Sequence, residues 1–245
     1  GLPILIAELM VGRHGKMTPP GSMKNVALLS HKSPNWAWVG VMNLLAAFLI
    51  MITYSVVAGW VLNYLQVAAV TGFAGVEPAS ATANFNQVLA EPGPMMVWTL
   101  VALAITGSII YAGLQNGIER AVSILMPMLF TLMVLLVIYN MAVGGFSEAI
   151  DYLFTVDFSK INATVMLAAI GQAFFSIGVA MAGMMTFGAY LPNNVSIARS
   201  SLFIIAADTG VAILAGLVIF PAVFANGLDP AGGPGLIFQT LPVAF

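Results

Sequence analysis

From Trp36 to Val70 the chain carries no charged side chain at all. As a helix this stretch is about 50 Å long at 1.5 Å per residue, well beyond the ~30 Å hydrocarbon core of a bilayer, so it must tilt or project. Water offers no stable resting place for such an element. The rest of the chain removes the option of burying it in a soluble core, because only 7% of residues are charged and 60% are hydrophobic. Soluble domains carry about 25% charged residues. The expected class is therefore an all-α polytopic membrane protein. Having no cysteine excludes disulfide staples and thiolate metal sites.

Reading in order, six spans are expected at about 1–11, 36–70, 95–114, 118–143, 163–190 and 197–225, forming one transmembrane segment over 1–245. Pro127 lies inside the fourth, where a kink is expected. Between the spans come a polar loop with Arg13, Lys16, Lys24 and Lys32, a loop with Glu77 and Glu91, a tight turn at 115–120, and a loop with Glu148, Asp151, Asp157 and Lys160. Residues 231–245, rich in Gly and Pro and ending GLIFQTLPVAF, read as an extracellular re-entrant or surface hairpin. Arg13, Lys16, Lys24, Lys32, Arg120 and Arg199 fall in alternate connections, which makes those cytoplasmic; only Lys160 breaks the pattern. The chain is expected to be multi-pass in the cell's inner (plasma) membrane. It opens without Met inside an apolar run and shows no signal peptide, so it reads as an internal segment.

The fifth span is unusual. In LAAIGQAFFSIGVAMAGMMTFGAY, residues 167–190, the small residues Ser176, Gly178, Ala180, Ala182 and Gly183 crowd the middle. One reading is close helix packing. The other is a break whose freed peptide groups hold an ion and a small zwitterion near the bilayer midplane. Two carboxylates, Glu8 and Asp208, sit within apolar runs, where an acid faces a cavity, a partner or an ion. Asp208 falls at a depth comparable with Ser176. A cation between them would have hard oxygen ligands, which suits Na⁺; the alternative is a protonated Asp208 bonded to a neighbouring helix. Glu8 reads as a buried acid bonding the bundle backbone. The Tyr54 phenol, inside a span, either holds a substrate carboxylate or makes an interhelical hydrogen bond. Phe174 and Phe175 cap a pocket or pack, and Met181, Met184 and Met185 read as gap-fillers. Protease, esterase and nucleotide-binding signatures are absent, so no enzyme is expected.

These residues resemble the neurotransmitter:sodium symporter family, most closely its bacterial amino-acid branch. GLPILIAELMVGRHGK is similar to the family's second helix, QNGIERAVSILMPMLF to the turn and start of the fifth, GQAFFSIGVAMAG to the unwound sixth, ADTGVAILAGLVIFP to the seventh and GLIFQTLPVAF to the fourth extracellular loop. The resemblance runs from end to end in order. It implies a partial leucine-transporter-like fold, six helices of the inverted-repeat bundle with one unwound mid-membrane. It also implies that Tyr54 bonds the substrate carboxylate, that Ile50 and Met181 line the pocket and that Phe175 is its lid. Ser176 and Asp208 would ligate Na⁺, with Gly178 at the opening and Gln172 and Glu8 as supporting polar groups. Gln172, Ser176 and Asp208 also match the region where chloride-dependent members hold their anion, so a carboxylate at 208 implies chloride independence. The sequence departs from the family at Gly178-Val179-Ala180, where Ser-Leu-Gly is frequent; one polar side chain is gone. On this reading the first and the eighth to twelfth helices lie outside the chain, which holds about half a binding site and would not transport alone.

The expected function is Na⁺-coupled symport of a hydrophobic or aromatic amino acid. Proton coupling through Asp208 or Glu8, and a non-transporting membrane subunit or sensor, are the other readings. The expected partners are an amino-acid substrate and the lipid bilayer, with no nucleic acid; homo-oligomerisation is left open.

Overall fold

A computed structural model describes residues 1–72, 78–231, 233 and 235–244. Glu77 and parts of the expected hairpin at 231–245 lie outside the described residues. Among those described, every regular element is helical. Among the described residues, four helical stretches are long and apolar enough to cross a membrane: Pro34–Val70, Pro92–Tyr111, Leu114–Ala142 and Ile197–Ala225. The chain divides into two compact units, one of Gly1–Ile52 with Asp157–Gly210 and one of Thr53–Val156 with the residues from Val211 onward.

In the first unit, α1 (Leu2–Gly15) buries Leu5, Glu8, Leu9 and Gly12, the i, i+3, i+4, i+7 stripe of one helical face. Its C-terminus turns through Lys16 in the left-handed region, with the Lys16 N–H bonded to the Gly12 carbonyl at 2.8 Å. The helix α2 (Pro19–Leu29) starts on a proline, which needs no helical N–H partner at that position. It is held against α1 where the buried Ser22 hydroxyl donates to the Met17 carbonyl at 2.9 Å and accepts from the Met17 N–H at 3.2 Å. The long α3 (Ala37–Val70) begins against α2, where a side chain on Gly40 would collide with the Pro19–Pro20 backbone.

The second unit contains α4 (Pro78–Ala90), α5 (Pro92–Tyr111), α6 (Arg120–Val143) and α7 (Phe146–Phe154). A π-helical turn, Leu114–Glu119, joins α5 to α6, with Gly117 placed so close to the Ile109 carbonyl that no side chain fits. Pro127 sits within an α6 that runs on through it. The connections expected to be plain loops carry α2, α4 and α7. In α4, Ala81 and Phe85, one turn apart, are buried, so a short amphipathic stripe stabilises helix in an otherwise polar segment.

Returning to the first unit, α8 (Ala163–Ile177) is capped by Asn162, whose carbonyl oxygen accepts the Val165 N–H at 2.9 Å. Just before it, Asp157 accepts from the Ser159 hydroxyl and N–H, with Lys160 3.4 Å away. These partners, the Ser159 hydroxyl foremost, hold its carboxyl below the usual range.

After α8 come α9 (Gly183–Tyr190) and α10 (Ile197–Ala225). Pro221 in α10 has no N–H for the Leu217 carbonyl. The Asn140 amide of α6, itself buried, donates to Val218 O at 2.6 Å and Leu217 O at 3.4 Å, filling that gap within the second unit. The last helix, α11 (Gly235–Ala244), seats Phe238 among Trp60, Tyr64 and Phe85, with ring centroids 5.1–5.7 Å from it. The tail thus forms a short helix clasped by aromatic rings to α3 and α4.

Candidate functional site

The helical ladder stops at the residue where a side chain is missing. Gly178 takes φ 75° and ψ 29°, a left-handed conformation that glycine adopts without steric cost. The Gly178 N–H bonds Phe175 O at 3.1 Å and the Val179 N–H bonds Phe174 O at 3.2 Å, a Schellman closure of α8. Two further residues, Ala180 (φ 63°) and Ala182 (φ 60°), also lie in the left-handed region before α9 begins at Gly183. A non-glycine residue there is strained, and such strain persists only where surrounding contacts hold it.

Glu8 supplies one such contact. Its Oε1 accepts the Ala180 N–H at 2.6 Å, so the buried acid of α1 satisfies a peptide group that the break would otherwise orphan. Its Oε2 is buried and has no hydrogen-bond partner among the described residues. Glu8 therefore acts here through an acceptor oxygen. Glu8→Ala is expected to destabilise the full-length protein by about 1 kcal/mol, the net worth of the part-buried hydrogen bond from the Ala180 N–H. Glu8→Gln keeps an acceptor and should retain most of that stability; thermal unfolding of the two variants in detergent checks the difference.

The hydroxyl of Ser176, two residues before Gly178, donates to Asp208, lying 2.8 Å from Oδ1 and 2.9 Å from Oδ2. Two side chains far apart in sequence are thus brought into direct contact, Asp208 half-buried on α10 and Ser176 on the last turn of α8. The hydroxyl has one proton to share between two carboxylate oxygens, which leaves lone pairs on all three oxygens for a cation. A carboxylate, a hydroxyl and peptide oxygens form a hard donor set, so the residues present fit Na⁺ and not a soft metal.

Of the remaining expected residues, Gln172 and Phe175 precede the break on α8, Gly178 opens it and the half-buried Met181 lies within it. Ile50 and Tyr54 lie one helical turn apart on α3, Ile50 in the first compact unit and Tyr54 in the second.

Three features were not singled out from the sequence. The first is the pair of left-handed alanines. The second is Arg13, whose guanidinium donates to the Val195 carbonyl at 2.7 Å and ties the end of α1 to the segment after α9. The third is the contact between α1 and α9: a Cβ on Gly12 would lie 2.0 Å from Met185 O, and one on Gly188 2.5 Å from Leu9 O. The small residues that could have signalled it are Gly12 and Gly188 themselves, since close backbone approach in membrane helices needs them. The floor of the break is completed by apolar packing of Leu5 and Leu9 with Ile177, Val179 and Ile197.

The sodium:neurotransmitter symporter family model matches residues 79–228. The uncharacterized sodium-dependent transporter YhdH of Bacillus subtilis is 35% identical, over 100% of this chain and 53% of its own length. An uncharacterized sodium-dependent transporter of Haemophilus influenzae is 31% identical, over 100% of the chain and 55% of its own. Among solved structures, MhsT in complex with L-phenylalanine is similar with a TM-score of 0.90 and 37% identity, covering 100% of this chain and 55% of MhsT. The chain spans about half the length of the curated relatives it matches.

Proposed function

The chain belongs to the sodium:neurotransmitter symporter family, and from that premise we propose that it serves Na⁺-coupled symport of a hydrophobic or aromatic amino acid, independent of chloride, across the cell's inner membrane. The observation that carries this reading is the Ser176 hydroxyl bridging both oxygens of Asp208 beside a helix broken at Gly178. Polar backbone at membrane depth is tolerable only where it faces protein or a polar cavity, and carriers use such breaks to bind at the midplane.

In this proposal Ser176 and Asp208 hold Na⁺. Bound there, the ion neutralises the carboxylate and favours the ordered break. The chain's own groups do the rest. Glu8 holds the Ala180 N–H and so fixes the direction in which the peptide groups after Gly178 point. Ile50 and Met181 present apolar surface to the substrate side chain and Phe175 covers it, with Gln172 as a supporting polar group; for Tyr54 the family resemblance implies a hydrogen bond to the substrate carboxylate. Coupling follows by linkage: whatever Na⁺ contributes to ordering the break, the substrate no longer has to supply, and the reverse holds equally. Alternating access around this point completes the cycle. The complex of MhsT with L-phenylalanine supports an aromatic or large apolar substrate here, as do the apolar side chains of Ile50 and Met181.

A panel of amino acids tested against the purified full-length protein, with Na⁺ exchanged for choline and chloride for gluconate, checks the reading. Large apolar amino acids are expected to bind only with Na⁺, and binding should be unchanged in gluconate. Uptake driven by a pH gradient without Na⁺ would move the assignment to proton coupling. Failure to bind any small solute would leave a non-transporting member of the family. Loss of binding in gluconate would overturn chloride independence alone.

A further inference from the structure

Beyond the ion and substrate site, the geometry points to a binding groove for an anionic phospholipid, formed by α1, α2 and the turn that precedes α3. The groove is lined by Val11, Met23, Val26, Ala27, Lys32 and Trp36 and has a volume of about 250 Å³. That is below the usual range for compact metabolites, roughly 300–1,000 Å³, and its walls are apolar. A slender hydrocarbon chain fits such a slot better than a polar solute does.

A single cation stands at its rim, placed by the backbone. The helix α2 ends in a Schellman motif with His31 in the left-handed region at φ 54°. The His31 N–H bonds Leu28 O at 3.0 Å, and the Lys32 N–H folds back onto Ala27 O at 2.8 Å. This reversal sets Lys32 beside Ala27, a residue of the groove wall. The corner that carries the groove is held by the Ser22–Met17 hydrogen bonds and by Gly40, which admits the Pro19–Pro20 backbone at close quarters. The Asn25 amide donates to Gly15 O at 3.5 Å on the same side of the corner.

The occupant follows from charge and depth. No Asp or Glu occurs between Glu8 and Glu77, whereas Arg13, Lys16, Lys24 and Lys32 all do. The field over this corner is thus one-signed and favours a phosphodiester. Trp36, half-exposed at the groove, opens the apolar stretch that spans the membrane, the position where tryptophan marks headgroup level. The charge pattern puts this corner on the cytoplasmic face, where anionic lipids gather and each nearby basic residue contributes about 1 kcal/mol, or roughly fivefold, to their binding. An acyl chain lies in the slot and the phosphate meets Lys32.

The test uses the full-length protein in detergent, offered phosphatidylglycerol and phosphatidylcholine in equal amounts, with retained lipids counted by native mass spectrometry. Phosphatidylglycerol is expected to be retained at least about fivefold over phosphatidylcholine. Lys32→Gln should remove about fivefold of that preference. Ser30→Trp, at an exposed position on the rim, should block retention of both lipids without lowering the unfolding temperature. Equal retention of the two lipids, or no change in either variant, overturns the proposal. Displacement of phosphatidylglycerol by glycerol phosphate alone would show a headgroup site that does not use the groove. A fall in unfolding temperature in Ser30→Trp with lipid content unchanged would show that protein, not lipid, fills it.

Discussion

Asp208→Ala in the full-length protein is expected to weaken the sodium dependence of amino-acid binding strongly while leaving the protein folded. The carboxylate is the one full charge in direct contact with Ser176 at the break. An interaction with a charged group contributes about 1.5–3 kcal/mol. Asp208 is half-buried and its contact with Ser176 is open to solvent, so the lower figure applies, equivalent to a loss of roughly tenfold in Na⁺ affinity. Folding should suffer less, by about 1 kcal/mol, because the freed Ser176 hydroxyl can turn to the carbonyl one turn earlier on α8, a common partner for helical serine. Asp208→Asn isolates the charge: it keeps an acceptor for Ser176 and loses the negative charge, and it is expected to bind Na⁺ nearly as poorly as alanine. Titration of Na⁺ against substrate binding, with unfolding temperature measured alongside, separates the effects. Undiminished sodium dependence in Asp208→Ala would remove this residue from the ion site.

The small residues around Gly178 left close packing and a break both open, and the resemblance to an unwound sixth helix decided for the break. Glycine at 178 lowers the cost of a left-handed turn, and an apolar stretch of bilayer length can lose its helix only for a polar purpose. Depth alone put Ser176 and Asp208 at similar heights, one midway along its span and the other ten residues into another; that the two side chains bond each other directly was not legible. Ala180 and Ala182 were not legible. Alanine has no preference for the left-handed region, and what holds Ala180 there includes a hydrogen bond to Glu8, 172 residues away in sequence. The target of Glu8 was hidden for the same reason: a sequence shows that a buried acid needs a partner, but tertiary approach decides which. Three connecting segments read as loops because charged, Gly and Pro residues interrupt them. The helices within them rest on a few buried positions, such as Ala81 and Phe85 in α4 and Ala149 in α7. Tyr54 stood out as a phenol inside an apolar span, where it needs a partner, but which partner was left open; Ile50 was reached only through the family resemblance, since nothing in a run of apolar residues distinguishes it from its neighbours.

Gly12→Val and Gly188→Val are each expected to prevent accumulation of folded protein. At Gly12 a Cβ would stand 2.0 Å from the Met185 carbonyl oxygen and 2.9 Å from its carbon; at Gly188 it would stand 2.5 Å from Leu9 O and 2.9 Å from Leu9 Cα. The obstructing atoms are backbone on both sides, so no rotamer change relieves the clash and the helices themselves must separate. Packed interiors resist such movement, and overpacking of this kind costs about 3 kcal/mol, with backbone collisions at the upper end. The consequence reaches the site because Glu8 is one turn from Gly12 on the same face of α1. Separation of α1 from α9 would lengthen the 2.6 Å bond from Ala180 N–H to Glu8 and the 2.7 Å bond from Arg13 to Val195 O together. The milder Gly12→Ala should therefore lower both the unfolding temperature and Na⁺ affinity. Combined with Glu8→Ala it should cost clearly less than the sum of the two, since the first change has already loosened what the second removes. A fully additive pair would show that the glycine contact and the carboxylate clamp act independently. A Gly12→Val protein as stable as the parent would show that α1 and α9 do not meet at this distance.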